Sequence, residues 1–263
     1  MSAKTVSALP GAPEHASAIG LYARATAGFD ERVAETVALL RQAAATGTAT
    51  QASSLGAEDM VITHLINTHS LPIGVFVLET GALHGETLAL LQRLRAQQAA
   101  HPHAPLTVYR PVEQVVVQFV AREGADAMYR SIALRKACCG IRKMEPLARA
   151  LAGKSAWITG LRREQSGARA EVPFIDDSEV ATKSLRKFNP LAAWSWADVW
   201  HYVALHGVDF NPLHDRFMPS IGCEPCTRAI AVGEDFRAGR WWWEDEAAKE
   251  CGLHVKKTEG VPA

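Results

Sequence analysis

The chain has 263 residues, and its 28 Lys plus Arg are balanced by 28 Asp plus Glu. That length suits one generous α/β domain, or one domain with appendages, and can bury a sizeable core. Zero formal charge removes the basic excess that non-specific nucleic-acid binding needs, and no apolar run approaches the roughly 18 residues of a membrane helix, so neither nucleic acid nor membrane is expected as a partner.

Residues 1–18 are rich in Ala, Ser and Pro and lack the apolar stretch of a secretory signal. Glu14 and the scarcity of Arg also argue against an organelle transit peptide. The expectation is a disordered start on a cytoplasmic protein. From Phe29 to Ala45, Val33, Val37 and Leu40 form an apolar stripe at helical spacing, with Asp30 as the expected N-cap. A β-like stretch ends near Leu55, followed by Gly56-Ala57-Glu58-Asp59 and a helix over Met60–Thr68. Ile73–Leu78 is a continuous apolar run rich in β-branched residues, as in a buried parallel strand, and Glu79-Thr80-Gly81 closes it.

His84–Gln98 reads as a helix, Leu106–Tyr109 as a strand, Val112–Ala121 as a helix and Ala156–Thr159 as a strand. The Arg-rich loop Gly160–Ala170 follows. Strands alternating with helices predict a parallel sheet covered on both faces, with ligands at the carboxyl ends of the strands. Three of those ends carry polar loops: Gly56–Asp59, Glu79–Gly81 and the Arg-rich loop. Ser195–His206 is a helix with Trp196, Val199, Trp200 and Val203 on one face. From Asn211 onward regular patterns are few.

The five cysteines fit a disulfide framework poorly, because the count is odd. Cys223-Glu-Pro-Cys226 is a C-x-x-C pair, a spacing used by zinc, iron–sulfur and redox sites alike. Cys138 and Cys139 are adjacent; on a helix, neighbours point about 100° apart, awkward for one ion and easier for a larger cubane. Spacing alone leaves a four-thiolate zinc site and a four-iron, four-sulfur cluster both open. Cys251, twelve residues from the end, lies between Lys249 and His254, which would lower its pKa. By itself such a thiol is more simply an idle one near a terminus.

Cations gather near the cysteines: Arg135, Lys136, Arg142, Lys143, then Arg162, Arg163 and Arg169, then Arg228, Arg237 and Arg240. Arg forks suit phosphate and sulfate oxygens, although some of these residues are expected to be solvated surface.

Five segments, in order, resemble the assimilatory adenylyl-sulfate reductases of the phosphoadenylyl-sulfate reductase family. They are Cys-Cys-Gly-Ile-Arg-Lys-Met-Glu-Pro-Leu from Cys138, Thr-Gly-Leu-Arg-Arg-Glu-Gln-Ser from Thr159, Gly-Cys-Glu-Pro-Cys-Thr-Arg from Gly222, Gly-Arg-Trp-Trp-Trp-Glu from Gly239 and Lys-Glu-Cys-Gly-Leu-His from Lys249. The similarity runs from about Phe29 to His254. It implies a doubly wound α/β fold of the ATP-pyrophosphatase-like, adenine nucleotide alpha hydrolase type, with an irregular C-terminal segment. It also implies one reductase domain over 19–240 and a mobile tail over 241–263.

The resemblance further implies a [4Fe-4S] cluster on Cys138, Cys139, Cys223 and Cys226, and Cys251 as nucleophile. Adenosine 5′-phosphosulfate is the implied substrate, and thioredoxin or a similar dithiol the implied reductant. Substrate contacts carried over are Ser54, Gly56, Glu79, Thr80, Lys143, Arg162, Arg169, Arg237, Arg240 and His254. The family's phosphate loop often reads Ser-Gly-x-Glu-Asp; here Leu55 precedes Gly56, with Ser53 and Ser54 upstream, so backbone N–H groups become the more general anion cradle. Rival readings are a 3′-phosphoadenylyl-sulfate reductase, a cluster-containing tRNA thiolation enzyme and a non-enzymatic zinc module. Oligomeric state, including a homo-oligomer, is not set by the sequence.

Overall fold

The structure is a computed structural model that describes residues 17–244. Its centre is a six-stranded sheet in the order β3-β2-β1-β4-β6-β5. The strands are β1 (Ala49–Ser53), β2 (Ile73–Leu78), β3 (Leu106–Tyr109), β4 (Ala156–Ile158), β5 (Ile175–Asp176) and β6 (Arg186–Phe188). All neighbours are parallel except the edge pair β5–β6. The expected parallel sheet therefore carries one antiparallel edge strand.

The helices are α1 (Ala18–Tyr22), α2 (Phe29–Ala45), α3 (Ala57–Thr68), α4 (Gly85–Gln98), α5 (Glu113–Glu123), α6 (Ala127–Arg130), α7 (Ile132–Cys139), α8 (Glu145–Leu151), α9 (Val180–Lys183) and α10 (Trp196–His206). Side-chain alternation along the strands gives the sheet two apolar faces. Ile73 and Val77 of β2, with Ala156 and Ile158 of β4, join the large core built with α2, α3, α4 and α10. Phe76 and Trp157, one residue out of step, join a smaller core with Leu147 and Ala150 of α8. The sheet is thus doubly wound.

Three expected boundaries shift for local reasons. Helix α2 is capped by Gly28, whose φ of 74° suits glycine, and not by Asp30, which sits in the first turn where its charge favours the helix dipole. Helix α3 starts at Ala57, earlier than Met60, because Glu58 and Asp59 are helical first-turn residues. Ala18, expected in the disordered start, is buried in α1, and its N–H donates to Asp215 at 2.7 Å.

The chain runs from β1 outward through β2 to β3, then returns to β4 on the other side of β1. The order reverses between β1 and β4, which pair from Ala49↔Ala156 to Gln51↔Ile158. Crevices in open α/β sheets form at such a reversal, beyond the carboxyl ends of the strands. Among the described residues after α10, the helical pieces are two short 3₁₀ turns, Pro212–Arg216 and Glu224–Cys226.

Asp198 ties the start of α10 to the N-terminal part of the chain. It accepts from the Ser195 N–H at 3.0 Å, the Thr26 hydroxyl at 2.8 Å and Arg32 at 3.2 Å, while Ser195 caps the helix in return. Burial pushes its carboxyl up, but the bonds from Ser195 and Thr26 outweigh that and hold it below the ordinary 3.8. A depressed folded-state value gives stability that is fully present above the ordinary 3.8 and is lost as the pH falls from there through the folded-state value. Asp198→Ala is expected to cost about 2–4 kcal/mol at pH 7, read from denaturant midpoints, with the deficit shrinking below about pH 4.

Candidate functional site

Loops after β1, β2 and β4 converge on one crevice enclosing ≈ 1310 Å³ of empty space, its open mouth included. Ser53, Ser54 and Gly56 come from the first loop, Thr80 from the second, and Thr159, Gly160 and Leu161 from the third. Lys143, Arg169, Arg237 and Arg240 add cations to the wall. The N-terminus of α3 opens beside it, with no side-chain cap from Gly56. A helix N-terminus beside four cations forms an anion-binding surface.

The β1 loop owes its shape to Leu55 and Asp59. Leu55 has a φ of 63°, in the left-handed region that disfavours side chains, yet it is fully buried. The conformational cost of about 1–2 kcal/mol is offset by burying its side chain, worth about 1.5–3 kcal/mol. Asp59 Oδ2 accepts from both the backbone N–H and the hydroxyl of Ser54, each at 2.7 Å. The Ser54 hydroxyl also accepts weakly from Gly56 N–H at 3.3 Å. It is therefore already engaged in shaping the loop.

Gly160 lies against the same carboxylate. A Cβ there would stand 2.4 Å from Asp59 Oδ1, so only glycine fits. Burial pushes the Asp59 carboxyl up to about 6, against the lowering effect of Ser54 and the Gly160 N–H. Neighbouring Glu58 accepts from Arg162 Nε and Gln165 Nε2, both at 3.0 Å. Gln165 Oε1 in turn accepts from Arg169 at 2.7 Å. Asp59, Gly160, Glu58 and Gln165 were missed as site residues. Their signal was present: Glu58-Asp59 follows Gly56 at a strand end, and Gly160 and Gln165 lie in the Thr159 segment.

Two of the expected substrate contacts stand away from the crevice lining. Arg162 is completely buried in ion pairs with Glu58 and Glu164 and lies over the rings of Trp196 and Phe236. Glu79 shapes its own loop, accepting from Gly81 N–H at 2.7 Å and pairing with Arg110 at 2.8 Å. Ser54, Gly56, Thr80, Lys143, Arg169, Arg237 and Arg240 do line the crevice. Cys251 and His254 lie outside the described residues.

Beside the crevice lies a second cavity enclosing ≈ 600 Å³ of empty space, its open mouth included, lined by Cys138, Cys139, Cys223 and Cys226 together with Arg135, Arg142, Lys143 and Arg240. Cys138 and Cys139 end α7, where the helix widens into a π turn over Gly140–Met144. Cys223 pairs with Leu83 in a β-bridge, and the 3₁₀ turn returns Cys226 beside it. The four cysteines are free of disulfides. Among the described residues, no group of three or more His, Cys, Asp or Glu side chains is gathered tightly enough for a single metal ion.

Burial, then the neighbouring Cys223, pushes the Cys226 thiol up to about 11. Burial also raises Cys138, opposed chiefly by Arg142. Such thiols are poor nucleophiles at neutral pH unless a metal displaces their protons. Thr80, Lys143, Arg240 and Trp241 join the two cavities. The Thr80 hydroxyl lies 3.3 Å from Cys223 Sγ, and the other three line both spaces. Gly222 makes room for Arg240, since a Cβ there would meet its guanidinium at 2.2 Å.

A doubly wound α/β protein with an anion-binding crevice at its switch point is the class these features define. Residues 48–229 match the phosphoadenosine phosphosulfate reductase domain, and the chain belongs to that family. It is 51% identical over 212 residues to an adenosine 5′-phosphosulfate reductase of Burkholderia cepacia, covering 81% of this chain and 82% of that one. A protein of the same name from Allochromatium vinosum is 52% identical over 206 residues, 78% of each chain. The crystal structure of a phosphoadenylyl-sulfate reductase from Candida auris, in a phosphate complex, shares the fold with a TM-score of 0.59 at 24% identity. That likeness covers 77% of this chain and 98% of that one.

Because the Asp59 carboxyl is raised, its contribution to stability is greatest below the ordinary 3.8 and is lost as the pH rises through about 6. Asp59→Asn, which carries no charge at any pH, is expected to gain stability relative to wild type as the pH goes from 5 to 7, by roughly 1 kcal/mol. Parallel thermal melts check this; a constant gap between the two proteins would refute it.

Proposed function

We propose that the protein reduces adenosine 5′-phosphosulfate to sulfite and AMP, in the cytoplasm, as a step of sulfate assimilation toward cysteine. The observation that carries this is the junction of an anion-binding crevice with a four-cysteine cavity, in a chain about half identical to proteins named for that activity. No helix among the described residues is long and apolar enough to cross a membrane, in keeping with that setting.

In the proposed reaction the Cys251 thiolate attacks the sulfate sulfur. An S–S bond forms as the bond between sulfur and the bridging oxygen breaks, and the electron pair leaves with AMP. Lys143, Arg169, Arg237 and Arg240 line the space where the bridging oxygen and phosphate gain charge, so they stabilise the departing group. The product on the chain is S-sulfocysteine. A thiolate of thioredoxin or a similar dithiol then attacks Cys251 Sγ and releases sulfite. Its second thiol resolves the mixed disulfide, so the donor supplies both electrons and Cys251 is regenerated.

The cysteine cavity fits an iron–sulfur group: four unbridged thiols face one space ringed by cations that would balance a net-negative cluster. Cys138, Cys139, Cys223 and Cys226 would hold it, and when bound it would contribute fixed negative charge beside Lys143 rather than electrons. Anaerobic iron and sulfide analysis checks this. Four irons and four sulfides per chain are expected, whereas one zinc and no iron would replace the cluster with a structural zinc site.

Mass spectrometry tests the covalent step. Incubation with adenosine 5′-phosphosulfate and no dithiol is expected to add one sulfonate to Cys251, faster than incubation with the 3′-phosphorylated nucleotide. Cys251→Ser is expected to form no adduct and to lose at least about 10³-fold in turnover. An adduct on that variant, or normal turnover, would sink the mechanism.

A further inference from the structure

The segment Gly239–Glu244 contains an acidic residue that the reaction above does not use. Glu244 and Arg135 form a bidentate ion pair at 2.9 and 2.7 Å, with 3% and 1% of their side chains exposed. Arg135 lies on α7 one turn before Cys139, and its guanidinium also stands 4.7 Å from the ring centre of Trp241. The Glu244 N–H donates to Trp241 carbonyl at 2.9 Å, closing a tight turn. Trp243 packs on Tyr129 at 4.5 Å between ring centres, and the Tyr129 hydroxyl donates to the Pro225 carbonyl at 2.6 Å. The last described residues are thereby bound to both cysteine-bearing segments.

We propose that the Arg135–Glu244 pair is a positioning latch for the nucleophile: it fixes the root of the tail at the wall shared by the crevice and the cysteine cavity. This rests on the reading of Cys251 given above. From Glu244 to Cys251 is seven residues, a reach of at most about 25 Å. With the root held beside Trp241, which lines both cavities, that reach includes the crevice. A root released from α7 would spread the same thiol through a much larger volume and lower its effective concentration at the substrate. The pair meets the crevice wall through Trp241, over which the Arg135 guanidinium lies, so its expected effect is on the tail's position more than on nucleotide binding.

Glu244→Gln in the full-length protein is the test. Adduct formation on Cys251 is expected to slow at least tenfold, AMP affinity to stay within about twofold, and tryptic cleavage after Lys249 to accelerate. Glu244→Asp, which keeps the charge, is expected to recover most of the adduct rate. Wild-type adduct rate and protease resistance in Glu244→Gln would overturn the latch, as would an equal fall in AMP affinity and adduct rate. If that variant does not fold, hydrogen exchange of the wild type decides. Amides of Trp241–Glu244 protected to the level of α7 support the latch, and amides that exchange at the rate of an unstructured peptide overturn it. If the wild type itself forms no adduct on Cys251, the functional reading fails instead.

Discussion

Two consecutive carboxylates at the start of α3 hold the crevice in shape. Asp59 gathers the N–H and hydroxyl of Ser54 from the β1 loop and faces Gly160 at the end of β4. Glu58 gathers Arg162 and Gln165, and through Gln165 it fixes Arg169 in the wall. Buried carboxylates are costly unless their oxygens are satisfied, and here each is met by several donors. One helical turn therefore sets the distance between the two loops flanking the switch point. The raised value of Asp59 measures what remains of that cost.

The two cavities share a wall. Lys143 and Arg240 line both, and Thr80 touches Cys223 from the crevice side. Arg240 is held by the Cys226 carbonyl at 3.2 Å and by the space that Gly222 leaves. Its position thus depends on the same turn that carries the C-x-x-C pair. Cations in that wall repel one another, and negative charge on either side of it offsets that repulsion.

Much of the fold was legible because its signals are local. The apolar run Ile73–Leu78 and the helix spacings of Phe29–Ala45 and Ser195–His206 fall within a residue of the observed elements. β6, with the sequence Arg-Lys-Phe, and the two-residue β5 carry too little apolar pattern to be read as strands. At the site, residue type and family order point to the four cysteines and to Lys143, Arg169, Arg237 and Arg240, all of which line one of the two cavities. Arg162, expected at the substrate, is buried against Glu58, and an Arg in an Arg-rich loop looks the same in sequence whether it faces a ligand or a buried carboxylate. Gly160 and Gln165 act through contacts with Asp59 and Glu58 more than 100 positions away, a relation that no local pattern carries.

The division of labour among the cysteines follows from burial. A nucleophile that must meet a nucleotide and then a protein dithiol has to be accessible in turn to both. Thiols such as Cys138 and Cys226, which share a cavity with Trp241 and Arg240 and are raised above their ordinary values, suit neither demand. The proposed chemistry therefore calls for a thiol outside the cavity, the part given to Cys251. A moving segment is useful only if its start is fixed, since the probability of meeting the substrate falls as the volume it searches grows. The buried pair between Arg135 and Glu244 supplies a fixed start, and it does so on the helix whose end carries Cys138 and Cys139.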